Sequence, residues 1–151
     1  MSRARRAVLG GVALTTLALM AAAAHALALE VQITTLRAAE RGPSDAQLVP
    51  LRPRLRRLVG FRSFQIVQEE RRRCAWQSEE AFTIPGGRLL HIVPKGMRDQ
   101  AVAMQVKLLD GPRALVDTDV RLQNRGVMLF GVGQESGGQD GALIIMLKAE
   151  E

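Results

Sequence analysis

Apolar and polar side chains alternate along most of the chain after residue 28, and this period of two predicts β-strands. The alternation is clearest over residues 102–108, where valine, methionine and leucine alternate with alanine, glutamine and lysine. A turn at 110–112 leads to a second alternating segment at 116–122, with valine, threonine and leucine on one face and charged side chains on the other. These two segments predict a β-hairpin.

Further strands are predicted where short apolar or alternating segments are bounded by glycine, proline or charged turns. They lie at residues 29–34, 64–70, 74–77, 81–84, 88–93, 127–130 and 142–149. Pro94 is expected to end the strand at 88–93, and a Gly-rich loop is expected over 131–141. The last segment is almost continuously apolar, which predicts a strand buried on both faces.

One stretch near the start has a helical pattern instead. Four leucines, from Leu48 to Leu58, follow one another at spacings of three, four and three, which places them on one helical face. Pro50 and Pro53 interrupt this helix, because an interior proline loses a hydrogen bond and clashes with the preceding turn. We expect a distorted helix over residues 45–59 that is regular only from Pro53 onward.

These elements predict an α+β domain that is mostly β. The expected architecture is an antiparallel sheet or a β-sandwich of about seven or eight strands, with one short N-terminal helix after a signal peptide. We expect the helix to cover one open face or edge of the sheet, and turn-linked strands to pair with their neighbours in sequence.

The first 26 residues have the three parts of a secretion signal. Three arginines precede an uncharged apolar run over residues 7–24, and Ala24-His25-Ala26 fits the cleavage pattern of small residues. The alternative is an uncleaved membrane anchor, because the run has the minimum length for spanning a bilayer. We predict cleavage, since glycine, threonine and alanine make the run only mildly hydrophobic. The prediction is a signal peptide at 1–26 and one β-rich domain at 27–151, periplasmic or secreted, with no stable membrane span.

Cys74 is the only cysteine in the sequence, so an intramolecular disulfide is excluded. A lone cysteine in an oxidising compartment can pair with another chain. The alternative, which we favour, is a buried apolar residue within a strand. In either case the domain has to be stabilised by its core, for which about 125 residues are sufficient.

Arginine is concentrated in one part of the chain. Residues 37–73 hold ten arginines and four acidic residues, an excess of six positive charges. Because the planar guanidinium suits bidentate contacts with phosphate and carboxylate, we predict a basic face that binds an anionic envelope surface or an acidic protein partner. The alternative is that these arginines bind no partner and form a solvated face, with their aliphatic stems lying over the core and their charged ends in water. The candidate residues are Arg52, Arg54, Arg56, Arg57, Arg71, Arg72 and Arg73.

The sequence predicts no catalytic centre, no cofactor and no metal site. Residues 133–138 have a superficial likeness to the nucleophile segment of trypsin-like proteases. Such chemistry needs a histidine, and the only histidine after the leader is His91, which lies within an apolar strand. A zinc site needs three or four converging ligands, and Asp117 with Asp119 is more typical of a solvated strand face. We expect no nucleic-acid partner, because the compartment is wrong and few aromatic side chains are present to stack on bases.

The order of elements resembles that of a group of small, uncharacterised exported bacterial proteins. The residues that carry the resemblance are a short helix leading into 61–64, the segment 82–88 followed by Leu90 and Pro94, and the closing segment 140–145. These are turns, strand starts and a closing strand. The resemblance therefore implies a shared fold among exported proteins and no active site.

The function predicted from these features is that of an exported, non-enzymatic module of the cell envelope, which binds or scaffolds an unknown partner through sheet edges and the arginine face. One alternative is an accessory subunit of a secretion or surface-assembly machine, which also uses strand addition. The other is a small extracytoplasmic hydrolase whose site assembles from carboxylates and Ser136 or Thr118.

Overall fold

A computed structural model describes residues 28–134 and 142–151. The predicted signal peptide and its cleavage site lie outside the described residues. The elements in chain order are β1 (Ala28–Ala39), a 3₁₀ helix (Ala46–Leu51), α1 (Arg52–Val59), β2 (Ser63–Ala75), β3 (Glu80–Ile84), β4 (Arg88–Arg98), β5 (Ala101–Asp110), β6 (Arg113–Gln123), β7 (Val127–Gln134) and β8 (Ala142–Glu150).

The eight strands form two antiparallel sheets of four. One sheet has the order β2-β1-β8-β7 and the other has the order β3-β4-β5-β6. The second sheet is a meander of sequence neighbours, whereas in the first sheet β1 lies between β2 and the C-terminal β8. The prediction of a mostly β, antiparallel fold with about eight strands and one short helix is confirmed.

The main core lies between the two sheets, where the alternating apolar side chains of both meet. Four alternate residues of β5 are buried: Val102, Met104, Val106 and Leu108. They pack with residues of the first sheet such as Val31, Ile145 and Leu147 in one continuous cluster. The strict alternation that predicted β5 is therefore the pattern that builds this core.

A smaller core lies on the other face of the first sheet, where the helical segment covers it. Leu48 and Leu55 pack there against Leu36, Phe64 and Ile144. The sheet β2-β1-β8-β7 is thus apolar on both faces at this end. As a result all residues of the segment 142–145 in β8 are buried, as the continuous apolar run predicted.

The helix is distorted where the prolines predicted it. The 3₁₀ turn contains Pro50, and regular α-helix begins at Arg52 with Pro53 in its first turn, where a missing N–H removes no hydrogen bond. The helix ends at Gly60, whose φ of 74° is left-handed. Of the four leucines predicted to share one helical face, Leu48 and Leu55 are buried, Leu51 is half-buried and Leu58 is 43% exposed.

Several predicted strand boundaries also differ from the structure, and the strand predicted at 29–34 continues to Ala39. Residues 64–70 and 74–77 were expected as separate segments, but Ser63–Ala75 is one strand, because the consecutive arginines alternate between its faces. β7 runs on to Gln134, so residues 131–134 belong to a strand and not to the expected loop; the rest of that loop, residues 135–141, lies outside the described residues.

The expected stop at Pro94 is wrong, since β4 continues through it to Arg98. Proline is tolerated there because β3 pairs no further than Ile92, so no ladder donor is needed on that side. The carbonyl of Pro94 accepts a hydrogen bond from the N–H of Gln77 at 2.7 Å.

Leu89 and Leu90 test the sandwich core directly, because they are neighbours with opposite environments: Leu90 is fully buried and Leu89 is 41% exposed. We expect Leu90→Ala to lower the free energy of unfolding by about 2–5 kcal/mol, through lost burial and a residual cavity. The matched Leu89→Ala change should cost less than about 1 kcal/mol. Urea unfolding of both purified variants is the measurement, and equal losses would contradict the assigned faces of β4.

Candidate functional site

The fold separates the predicted arginines into two groups. Arg52, Arg54, Arg56 and Arg57 lie on α1, which covers the outer face of the sheet β2-β1-β8-β7. The other three, Arg71 to Arg73, lie on the edge strand β2 of that sheet. The two groups have different environments and are therefore considered separately.

Arg72 faces the second sheet, because its cross-strand partner Val31 points into the main core. Its guanidinium contacts the carboxylate of Glu70, lies 3.2 Å from Glu80, and stacks 4.5 Å from the ring centre of Phe82. The hydrogen bond with Glu70 raises the pKa of Arg72, burial opposes the shift, and the bond with Glu80 adds to it. The charge of Arg72 is thus already neutralised within the fold.

Arg72 and Gln68 also cap the free edge of β3. Arg72 donates to the carbonyl of Ala81 at 2.8 Å, and the Gln68 amide donates to the carbonyl of Thr83, also at 2.8 Å. Both carbonyls belong to the edge strand of the second sheet. We call this arrangement the capped edge. It joins the two sheets along one side and gives Arg72 a structural role.

Arg71 and Arg73 point to the outer face of the sheet, but acidic neighbours offset them. Arg71 lies 3.5 Å from Glu30 and donates to the side-chain oxygen of Gln32 at 3.2 Å. A small polar pocket here holds both signs of charge. It is lined by Glu30, Gln32, Arg71, Lys148 and Glu150. This part of the surface is therefore a mixed charged face and has no marked positive potential.

The four arginines of α1 divide between its two flanks. With about 100° between successive residues, Arg54 and Arg57 fall on the flank toward β7, and Arg52 and Arg56 fall on the other. Arg54 donates to the carbonyl of Val127 in β7 at 3.1 Å. Arg57 donates to the carbonyl of Pro53, one turn earlier, at 3.3 Å.

The positive charge extends beyond the helix to Arg41 and Arg62, which line a cleft of about 410 Å³ with Glu40 and Gly60. Sequence reasoning counted these two arginines in the basic segment but did not place them in the site. We define the basic helix surface as Arg41, Arg52, Arg54, Arg56, Arg57 and Arg62.

Acidic residues offset little of the charge on the basic helix surface. Within residues 40–62 the acidic side chains are Glu40 and Asp45. The Asp45 carboxylate is occupied by the backbone N–H of Ile66, at 2.6 Å. The excess of arginine noted in the sequence therefore resides here and not on β2.

A shallow groove of about 510 Å³ runs between α1 and the edge strand β7. It is lined by Arg54, Arg57, Leu58 and Leu129. Leu58 and the half-buried Leu129 make its floor apolar, and the two guanidinium groups stand at its rim. A helical wheel of residues 52–59 would have placed Arg54, Arg57 and Leu58 on one flank. Leu129 is distant in sequence, and no local signal indicates its contribution.

The predicted candidates for acid–base chemistry meet only in part. Nδ1 of His91 contacts a carboxylate oxygen of Glu79, an arrangement that orients an imidazole. The other ring nitrogen, Nε2, is buried and has no hydrogen-bond partner among the described residues. No hydroxyl or thiol nucleophile of residues 28–134 or 142–151 is therefore hydrogen-bonded to the imidazole. Ser136 lies outside the described residues.

Two further features are absent from the part of the chain that the structure describes. No three histidine, cysteine or carboxylate side chains in it cluster as they would around a metal ion. None of its helices combines the length and the apolar character needed to cross a bilayer.

Cys74 is buried in the main core, as the favoured alternative predicted. Burial raises the pKa of its thiol from 9.0 to about 11, the charge of Glu80 adds to the shift, and that of Arg72 opposes it. A thiol in this environment is shielded from a second chain and is poorly nucleophilic at neutral pH.

Comparison with models of known protein families finds no matching family, and comparisons with curated proteins and with solved structures find no match either. The function of the site therefore has to follow from the chemistry of the residues described above.

Arg72 and Arg73 allow a matched test of the capped edge, since they are adjacent arginines on opposite faces of β2. We expect Arg72→Met to lower the free energy of unfolding by about 1–3 kcal/mol, because it removes a charge-assisted hydrogen bond and leaves Glu70 and Glu80 without their partner. Arg73→Met should cost less than about 0.5 kcal/mol. The measurement is urea unfolding, and a loss for Arg73→Met as large as that for Arg72→Met would refute the assignment.

Burial of Cys74 predicts that its thiol does not react with an aromatic disulfide reagent in the native protein at pH 8 and reacts fully after denaturation. Rapid labelling of the native thiol at pH 8 would show that the thiol is accessible.

The raised pKa of Cys74 also makes the stability of the protein depend on pH. The stabilisation from keeping the thiol neutral is complete below pH 9 and is lost as the pH rises toward 11. Relative to Cys74→Ala, wild-type protein should lose on the order of 2–3 kcal/mol over that interval. The measurement is urea unfolding of both proteins between pH 8 and pH 11, and equal losses for the two proteins would contradict the raised pKa.

Proposed function

We propose that this chain is an exported, non-enzymatic binding module of the cell envelope, which docks onto an anionic lipid surface through the basic helix surface. Export is part of the proposal and is supported by the leader predicted at residues 1–26. The single observation that carries the docking function is that four arginines and the exposed Leu58 lie on one helix, with two more arginines lining a cleft at its C-terminal end.

The exposed apolar residues favour a lipid surface over an acidic protein as the partner. Val49 in the 3₁₀ turn is 52% exposed and Leu58 in α1 is 43% exposed, slightly more than Val67, Leu89 and Leu115 on the strands, which are exposed by 37% to 41%. Binding to a membrane interface is strengthened both by buried apolar area and by the attraction of basic side chains to anionic lipids. The guanidinium groups bind phosphates while the aliphatic groups enter the boundary with the acyl chains.

The sandwich gives this helical segment a rigid support. Leu48 and Leu55 fix it to the sheet β2-β1-β8-β7 through the smaller core. The segment is therefore already ordered before it meets a surface, and docking costs little conformational entropy. A fixed orientation also presents the four arginines of α1 on the outer side of the sheet that the helix covers.

The two alternatives have less support. A hydrolase would need carboxylates that converge on Ser136 or Thr118. Ser136 lies outside the described residues, and the Thr118 hydroxyl donates to the backbone carbonyl of Asp119 at 3.4 Å, not to a carboxylate. An accessory subunit would need a free edge for strand addition. Strand β6 is such an edge and is exposed along most of its length, but no feature of β6 indicates a particular partner strand.

Vesicle sedimentation tests the proposal. We expect the protein to sediment with phosphatidylglycerol vesicles and to stay in solution with phosphatidylcholine vesicles. Binding should weaken as salt rises from about 0.1 M to about 0.5 M, because exposed charges are screened. Changing Arg52, Arg54, Arg56 and Arg57 together to glutamine should weaken binding at least about tenfold, since each arginine near an anionic membrane contributes about 1 kcal/mol.

The control removes the same charge from the other sheet. Lys95, Arg98, Arg113 and Arg121 are exposed on β4 and β6, and changing all four to glutamine should leave most of the binding intact. Equal retention of wild-type protein on anionic and neutral vesicles would exclude the proposed function. Equal losses for the two variants would show that binding depends on net charge and not on this surface.

A further inference from the structure

We infer that the groove between α1 and β7 holds the acyl chain of a single anionic lipid, with the phosphate of that lipid bound by Arg54 and Arg57. This inference rests on the proposed function and specifies it, because it identifies where one lipid molecule leaves the surface and enters the protein. The groove is the place on the basic helix surface where arginine and apolar side chains line the same depression.

The floor of the groove suits a hydrocarbon chain. Leu58 and Leu129 supply it, and Leu58 leaves 43% of its surface exposed toward the groove side of the helix. The helix comes close to β7 here: a methyl group added at Gly131 would lie 3.9 Å from Val59.

The two guanidinium groups are held in place before a ligand arrives. Arg54 donates one N–H to the carbonyl of Val127, and Arg57 donates one to the carbonyl of Pro53. A guanidinium has five N–H donors, so each arginine keeps four for a phosphate at the rim. Arginines that are fixed in this way bind phosphate with charge-assisted, bidentate hydrogen bonds and with little loss of side-chain freedom.

The same lining argues against a peptide or a free anion as the occupant. Both polar side chains that line the groove, Arg54 and Arg57, are donors, so the lining offers the N–H groups of a peptide no side-chain acceptor. A free phosphate would contact the rim only and leave the apolar floor uncovered. A molecule with one anionic end and one hydrocarbon end matches both parts of the site.

Isothermal titration with three soluble probes tests the inference. The probes are dodecyl phosphate below its micelle-forming concentration, inorganic phosphate, and dodecyl maltoside below its micelle-forming concentration. We expect dodecyl phosphate to bind with one-to-one stoichiometry and at least about tenfold more tightly than either of the others, since only it has both the chain and the charge. Equal binding of inorganic phosphate, or of dodecyl maltoside, would overturn the inference.

Two variants locate the binding in the groove. Leu58→Asn should weaken dodecyl phosphate binding about fivefold or more, whereas Leu89→Asn, at a leucine of similar exposure on the other sheet, should not change it. Arg54→Gln should weaken it to a similar extent, and Arg113→Gln should not. Because Leu58, Leu89, Arg54 and Arg113 all lie at the surface, none of these changes is expected to disturb the fold.

The outcomes separate this inference from the proposed function. If the protein prefers anionic vesicles but Leu58→Asn binds both vesicles and dodecyl phosphate as wild type does, the surface function stands and the lipid-holding groove is refuted. If wild-type protein does not prefer anionic vesicles, the proposed function is refuted, whatever the soluble probes show.

Discussion

The sheet β2-β1-β8-β7 buries apolar side chains on both of its faces, and the rest of the molecule is arranged around that requirement. Ile144 and Ile145 are adjacent in β8 and point to opposite sides, so one face needs the second sheet and the other needs the helical segment. With Cys74 as the only cysteine, no disulfide contributes to this arrangement. Burial of apolar surface in two cores is what holds the three layers together.

The position of each arginine of the segment 37–73 in these layers determines what it contacts. Where the chain crosses the outer face of the sheet β2-β1-β8-β7 as α1, the side of the helix around Leu55 is buried and arginines occupy both of its flanks. Where the chain runs as β2, alternation turns Arg72 toward the second sheet and its neighbours away from it. The same residue type therefore joins the sheets in one place and forms a charged surface in another. Net charge along the sequence could not distinguish the two.

The sequence predicted most of the fold, because period-two alternation and turn residues are local signals. It failed where tertiary contacts override local ones. The strand β4 passes through Pro94 because its neighbour β3 has already ended, and Leu58 is exposed where α1 and β7 line a groove. For the site, the predicted set included the four arginines of α1, but it also included Arg72. It omitted the groove altogether, because Leu129 reaches α1 only through the pairing of β7 with β8.

The capped edge has a consequence for how copies of this protein behave when crowded. An edge strand with unoccupied carbonyls is a template on which another chain can add a strand. Since Arg72 and Gln68 occupy those of Ala81 and Thr83, growth of fibrils or strand-swapped oligomers is blocked along β3 and has to begin elsewhere. Loss of the Arg72 side chain would thus affect solubility as well as folding, because it would expose a strand edge to which another chain can add.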